Sequence, residues 1–477
     1  MVRDHHGITG LYYYFDRDIF VFSSCVKGLL ALDEIPKTID EQYVALIMSS
    51  WPPEGQRTAR KDIFRLAPSH WIELGQNFVH KHRYFYLEHT PELLLDKDQE
   101  YFDRFMEIYI EAVRCRLRSY GKVGAKLSGG LDSGSVCVLA ANMLKEKGDK
   151  LQTFTHIPLH KQEAFDNHRR FGDETHFAKQ TANFNGNIDT LFCQTAHITP
   201  LDAVERALAT HDEPLHAAGN QFWIYDIDEH ARQMGISTML NGQHGNATVS
   251  WPLPGQFEKP TKKQQSFLFN IFRRSIKLTP NKVYRRLFKP LSQGERLICQ
   301  SDVPLTMIEK LGLLQLDLSN KAFSKGVADE LHRIQYSIIR PGSDKFLCLP
   351  YEKAAMAGLE YRDPTNDIRM LKFMVSIPTS FYEKHKSDRI FIKKCFADLM
   401  PHEVIFNKRR GLQAADLVSR LSGDQLLEIV TVLKNYPQWI KPQVFEKIEK
   451  ANKGGKIQHI DAIILLRSYM AMKFLMR

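Results

Sequence analysis

The residues best placed to do chemistry are Ser128-Gly129-Gly130-Leu131-Asp132-Ser133-Gly134-Ser135. They follow the short apolar-alternating run Lys122 to Leu127 and lead into the apolar helical run Val136 to Leu144. A strand stops, two glycines turn the chain, and a helix starts. Such a junction binds anions, because Gly129 and Gly130 carry no Cβ to hold a ligand away and the first N–H groups of a helix lack intrahelical partners. Ser128 and Ser133 add hydroxyl donors. Asp132 would repel a bare phosphate, but it suits a magnesium ion held between carboxylate and phosphates. The stretch therefore predicts a Mg-nucleotide site with Asp132 as a metal ligand; the plainer alternative is a Ser/Gly turn that caps a helix.

Two further stretches carry candidate chemistry. Gly235 to Leu240 looks like a buried strand and ends in Asn241-Gly242-Gln243-His244-Gly245-Asn246-Ala247, again closed by glycines. Asn246 offers a neutral oxygen to a metal, whereas Gln243 cannot take a proton at neutral pH. Asn407-Lys408-Arg409-Arg410-Gly411 sets three cations side by side, of which Arg410 is expected to pair with a carboxylate.

The spacing is not that of the P-loop of kinases and GTPases. Ser-Gly-Gly-x-Asp-Ser resembles instead the pyrophosphate loop of the ATP pyrophosphatases. The Asn241 to Ala247 loop resembles the second signature of the asparagine synthetase family, usually Ser-Gly-Glu-Gly-x-Asp-Glu, with Gln243 in place of a glutamate suited to general-base work and Asn246 in place of a magnesium-binding aspartate. Gly358 to Arg369 resembles that family's stretch Glu-x-Arg-x-Pro-Phe-x-Asp, and Lys408 and Arg409 fall where it positions a pyrophosphate-neutralising lysine. Arg3 to Tyr13, Phe22-Ser-Ser24, Lys27 to Leu30 and Ile63 to Pro68 resemble the second half of its glutaminase domain.

The resemblance implies an α/β fold, a parallel twisted sheet with flanking helices of the adenine nucleotide α-hydrolase type, over residues 98–477. A small β-rich, partial glutaminase (Ntn-type) domain lacking its nucleophile half would precede it over residues 1–90. It implies ATP and Mg2+ as cofactors, with Leu127, Ile157, Asn241 and Gly242 walling the adenine and ribose, and Lys408, Arg409 and Gln243 at the reacting groups. The implied reaction activates a carboxylate, of a small molecule or a peptide, as an acyl-adenylate that an amine or ammonia converts to an amide. Gln243, Asn246 and the Arg362 to Asp367 stretch depart from the orthodox pattern and look more like specialised relatives such as lasso-peptide cyclases and β-lactam synthetases. A precursor peptide or companion protein is then an expected partner. Asparagine synthesis, tRNA modification and a catalytically silent nucleotide-binding protein are the alternatives.

The rest of the chain must position these groups. Its 477 residues, 43% hydrophobic and 25% charged, have the make-up of a globular protein with material for two or three domains. The net charge of +10 suits phosphate-bearing ligands. Seven scattered cysteines form no Cys-x-x-Cys, which argues against a disulfide framework or a zinc site and fits a reducing cytoplasm. Neither a signal peptide nor a membrane-length apolar run is visible, so no membrane partner is expected, and nucleic acid is not a favoured one. The basic stretch Glu258 to Arg296, interleaved with phenylalanines, reads as the solvated face of a helical insertion, with a grip on a partner's acidic segment or on nucleic acid as the alternative.

Apolar patterning predicts a hairpin of residues 10–15 and 18–22, a helix near 26–32, strands at 71–74 and 84–87, and a linker over 88–100. A 3.6-residue period then predicts a helix over 99–120, followed by a strand at 151–158, a helix opening at 173–178, a helix over 220–234, and closing helices over 426–477.

In glutamine-hydrolysing members of the resembled family, an N-terminal cysteine exposed by removal of Met1 is the thiol nucleophile. Val2 stands there, and Cys25 lies in a strand-to-helix segment without a free α-amino group. This polypeptide is thus expected not to hydrolyse glutamine, or to be a truncated or mis-started form of one that does. The expected outcome is no glutamate release from glutamine, with or without ATP; release abolished by Cys25→Ala would make Cys25 the nucleophile.

Overall fold

The structure is a computed structural model that describes residues 1–49, 56–75, 78–160, 170–253, 298, 301–316, 330–342, 347–421, 423–452 and 457–477. The basic stretch 258–296 lies outside the described residues.

Aromatic alternation makes Tyr12–Phe15 (β1) and Phe20–Ser23 (β2) an antiparallel hairpin, with Tyr12 opposite Ser23. Its turn is held by the Asp16 carboxylate, which accepts the N–H groups of Asp18 and Ile19 at 2.9 Å each. Ile63–Arg65 (β3) pairs with the other edge of β1, and His70–Gly75 (β4) forms a separate hairpin with Phe78–Arg83 (β5). Val26–Leu30 (α1) follows β2, with Cys25 at its N-cap.

Two expectations need correction. Residues 84–86 are not a strand and 87–89 form a 3-10 turn, because Arg83 ends β5 by holding the Glu88 carboxylate at 2.6 and 2.7 Å and turning the chain. The segment Glu41–Met48 is a helix (α2) that the sequence pattern did not announce. It is capped by Asp40, which accepts the Tyr43 N–H at 3.0 Å, and Tyr43 to Met48 are all buried, so no polar face betrays its period.

The main sheet contains Lys122–Lys126 (β6), Leu151–His156 (β7), Ile188–Cys193 (β9), Ile236–Leu240 (β10) and Glu360–Arg362 (β11). Its order is β11-β10-β6-β7-β9 and every pairing is parallel. Parallel neighbours need crossovers, which the helices Leu131–Lys145 (α4), Thr175–Asn185 (α5), Pro200–His211 (α6) and Gln221–Gln233 (α7) supply. From β6 the chain runs outward through β7 to β9 and then returns to β10 on the other side. The strand order thus reverses between β6 and β10, and ligands of such sheets bind outside the strand ends at that reversal.

Asp98–Arg116 (α3) enters the sheet region but stops short of the expected residue 120. The Arg362 guanidinium from β11 takes the Arg116 carbonyl at 2.9 Å, and the Arg118 carbonyl as well, ending the helix there. A small parallel ribbon, Arg170–Phe171 (β8) with Arg410–Gly411 (β12), ties the late chain to the region before α5. Among the described residues, no helix is long and apolar enough to cross a membrane.

The N-terminal strands share a core with the rest of the chain: Tyr12, Tyr43 and Leu46 pack in one cluster with Val204, Leu208 and Met470. Inside that cluster Arg65 and Glu213, each 1% exposed, form an ion pair, and Tyr43 donates to Glu213 at 3.1 Å. Removing one partner of a buried pair strands the other charge. Arg65→Met should therefore lower unfolding stability by about 3–5 kcal/mol in urea titrations; Arg65→Met combined with Glu213→Met should recover part of the loss.

Candidate active site

The loop after β6 is shaped by its own hydroxyls. Ser128 and Ser133 Oγ atoms are 2.7 Å apart, Ser133 Oγ accepts the Ser128 N–H at 3.0 Å, and Ser128 Oγ accepts the Gly130 N–H at 3.1 Å. Leu127, buried behind the loop, has its carbonyl fixed by the Thr155 hydroxyl of β7 at 2.7 Å. The Glu174 carboxyl faces this loop from the N-terminus of α5. Burial pushes the Glu174 carboxyl up to about 7, partly offset by the Gly129 N–H.

Asp132 lies in the first turn of α4. A Cβ on Gly245 would come within 2.4 Å of its Cγ, and a Cβ on Gly242 within 2.7 Å of its carbonyl oxygen. The 241–247 loop is thus seated directly on Asp132, and glycine is required for the approach. The Ser250 hydroxyl donates to Asp132 Oδ1. Burial pushes the Asp132 carboxyl up to about 6, against the opposing pull of Ser250 and of the Arg389 charge.

Beyond this contact the same loop turns outward. Gln243 and Asn246 are exposed and, with His6, His244, Arg340 and Asn366, line a cavity of about 90 Å³. His244 Nδ1 lies 2.9 Å from Asp363 Oδ2, and that oxygen also accepts the His244 N–H at 3.1 Å. Asp363 is 2% exposed and is fixed from its other oxygen by the Thr365 N–H at 2.8 Å. Burial, and next the neighbouring His244, push the His6 imidazole down to about 4, so it is neutral at pH 7.

On the opposite side, β8 and β12 bring the cations in. The Arg409 guanidinium donates to the Arg170 carbonyl at 3.1 Å and lies 5.3 Å from the Phe171 ring centroid. A Cβ on Gly129 would meet the Phe171 ring at 3.5 Å, so one aromatic ring separates Arg409 from the loop. Lys408 is exposed.

The structure brings Leu127, Ser128, Gly129, Gly130, Asp132, Ser133, Asn241 and Gly242 together at the adjoining ends of β6 and β10, and Ile157 stands one strand away at the end of β7. Asn246 and Gln243 face the cavity rather than the Asp132 carboxylate, which is taken by Ser250. Among the described residues Arg410 makes no ion pair, contrary to expectation; its two-residue strand leaves the side chain exposed. Sequence reasoning missed Ser250, Asp363, Arg389 and Glu174. Of these Glu174 had a signal in the helix opening Asp173-Glu174-Thr175-His176, and Asp363 lies within the Gly358 to Arg369 stretch that carries the family resemblance.

Comparison with known proteins places the chain in a family. The family model described as asparagine synthase matches residues 105–473, and the one described as glutamine amidotransferase domain matches residues 1–85. The chain is 33% identical over 160 residues to a Methanocaldococcus jannaschii protein that carries the name asparagine synthetase (glutamine-hydrolyzing) 2, covering 32% of this chain and 30% of that protein. It is 28% identical over 190 residues to amidase chry2 of Gibberella zeae, covering 39% and 28%. It is 20% identical over 425 residues to asparagine synthetase (glutamine-hydrolyzing) 3 of Bacillus subtilis, covering 85% and 63%. The chain thus spans less than a third of the first two relatives and less than two thirds of the last.

Both raised carboxyls make the ligand-free protein pH-sensitive. The folded state holds their protons up to about 6 for Asp132 and about 7 for Glu174, above the ordinary carboxylate range, so stability falls as pH rises through that window. In metal-free buffer, Asp132→Asn and Glu174→Gln should each raise stability at pH 8, by about 2 kcal/mol. The gain should vanish near pH 4; thermal unfolding across that range checks it.

Proposed function

Because this chain belongs to the asparagine synthase family, we propose that it is an ATP-dependent ligase that forms an amide from a carboxylate and an amine, releasing AMP and pyrophosphate. The observation that carries the reading is the seating of Gly245 and Gly242 on Asp132, which unites the pyrophosphate-loop and second-signature stretches in one site. A substrate carboxylate oxygen attacks the α-phosphorus of ATP, and the bond to the β-phosphate oxygen breaks. The amine nitrogen then attacks the acyl carbon, AMP leaves with the bridging oxygen, and the nitrogen loses a proton.

The residues fit the nucleotide. Gly129 and Gly130 leave the loop N–H groups unshielded by a Cβ, and Arg409 supplies charge for the pyrophosphate across Phe171. Asp132 would hold Mg2+, which would neutralise the phosphates; Asn246, facing the cavity, is left out of that coordination. Leu127, Ile157, Asn241 and Gly242 supply the walls for adenine and ribose. Lys408, exposed beside Arg409, adds field rather than contact.

For the proton of the attacking amine, Gln243 offers no base, whereas its neighbour His244 does. The imidazole is oriented by buried Asp363 and faces the cavity that Gln243 and Asn246 line. Gln243 then acts as a hydrogen-bonding wall for the second substrate. The loss of a basic glutamate and an acidic metal ligand supports a specialised amide-forming role, on a peptide or natural-product acid, over asparagine synthesis.

Three measurements test this. Asp132→Ala should abolish pyrophosphate–ATP exchange; unchanged exchange would remove Asp132 from the mechanism. His244→Gln should keep exchange but lower amide formation on the order of 10²–10⁴-fold, and equal loss of both would make His244 structural. AMP release should be slow with aspartate and ammonia and faster with a peptide acid; asparagine formation at an ordinary enzyme rate would overturn the specialised role.

A further inference from the structure

Cysteine spacing gives no hint of a metal site, yet the fold assembles one set of soft and hard donors away from the nucleotide loop. Asp226 and His230 are one turn apart on α7 and so project from the same face. That face meets the end of β9, where Cys193 is buried. The ligand atoms of Cys193, Asp226 and His230 all lie within 4.8 Å of one another. His230 Nε2 is 3.4 Å and His197 Nδ1 is 3.6 Å from the same oxygen, Asp226 Oδ1.

That oxygen is the independent observation. Asp226 is 1% exposed; its Oδ2 accepts the Thr195 hydroxyl at 2.7 Å, but its Oδ1 is buried without a hydrogen-bond partner. A buried carboxylate oxygen facing one sulfur and two imidazole nitrogens, with no donor bonded to it, is a coordination position. The outer groups are arranged accordingly. His197 Nε2 lies 2.9 Å from Glu229 Oε2, and Glu229 also pairs with Arg206, so a carboxylate orients the ring and directs Nδ1 inward.

We propose that Cys193, Asp226, His230 and His197 form a structural Zn2+ site that clasps the end of edge strand β9 to α7. Sulfur, two nitrogens and one carboxylate oxygen suit zinc better than magnesium or calcium. On binding, the Cys193 thiol gives up its proton to solvent as the sulfur–metal bond forms, while the carboxylate and the neutral imidazoles add none. The clasp also touches the proposed nucleotide wall, since the Ile157 N–H donates to the Cys193 carbonyl at 2.9 Å.

Cobalt is the probe. The full chain, stripped with chelator and titrated with Co2+, should show a thiolate-to-cobalt charge-transfer band, the intense visible bands of four-coordinate cobalt, and release of about one proton per metal. Zn2+ should displace it. Cys193→Ser should remove the charge-transfer band, His230→Gln should weaken binding, and Glu229→Gln should weaken it about 10- to 100-fold. His80→Gln, which breaks the exposed Glu73, His80 and His82 group of the β4–β5 hairpin, should change nothing. Absence of the band in the unaltered chain, its survival in Cys193→Ser, or its loss in His80→Gln would overturn the proposal; circular dichroism of each variant separates ligand loss from misfolding.

Discussion

The approach of the 241–247 loop to the first turn of α4 is the constraint on which the site depends. Strands β10 and β6 are parallel neighbours with Leu240 opposite Ala125, so their ends are level and the loop leaving one must pass over the helix entered from the other. Asp132 stands in that path. A side chain at Gly245 would overlap its carboxyl group, and one at Gly242 would overlap its backbone. The contact has an electrostatic consequence as well as a steric one, because the glycine backbone takes water away from part of the carboxyl group and makes its charge more costly, while the Ser250 hydroxyl stabilises it. It also fixes the remainder of the loop, which must then turn His244 toward Asp363.

Buried charge keeps those strand ends aligned. Asp228 of α7 receives Lys353, from the helix Cys348–Met356, and the Tyr361 hydroxyl of β11, while Lys126 of β6 lies 3.8 Å from it. Two strands on either side of β10, and two helices, therefore meet at one carboxylate. Burial, opposed by Asp228 and reinforced by Lys353, pushes the Lys126 ammonium down to about 8. Such a cluster is weak evidence for stability, since replacing buried charges with apolar groups is often neutral. Its geometric effect is firmer: a one-residue slip of β6 against β11 would move Lys126 to the other face of the sheet.

What was legible in the sequence was local. The pyrophosphate-loop stretch announces itself within eight residues because strand, glycine pair and helix are consecutive, and α7 and β10 follow from periodicity. Helix α2 was not legible, since Tyr43 to Met48 are buried on every side and carry no 3.6-residue contrast. Strand β9, Ile188-Asp-Thr-Leu-Phe-Cys193, gave too short a pattern at the sheet edge. The partners of the candidate site residues were beyond reach for another reason. Ser250 meets Asp132 across 118 positions and Asp363 meets His244 across 119, and nothing in either local segment marks it for that partner.

Glu174 packs beside the loop that follows β6. Its carboxylate lies between the Gly129 N–H and β12, so close to the latter that a Cβ on Gly411 would fall 2.0 Å from Oε1. In the proposed reaction a phosphate at the Gly129 N–H would compete with this carboxyl group. The phosphate is favoured by charge: burial has pushed Glu174 toward neutrality, and a neutral acceptor holds an N–H about half as strongly as an ionised one. A phosphate keeps its full charge and gains the Arg409 field across Phe171. Under the proposed function, Glu174 thus stands, as a weakly held acid, where a fully charged phosphate would be the better partner.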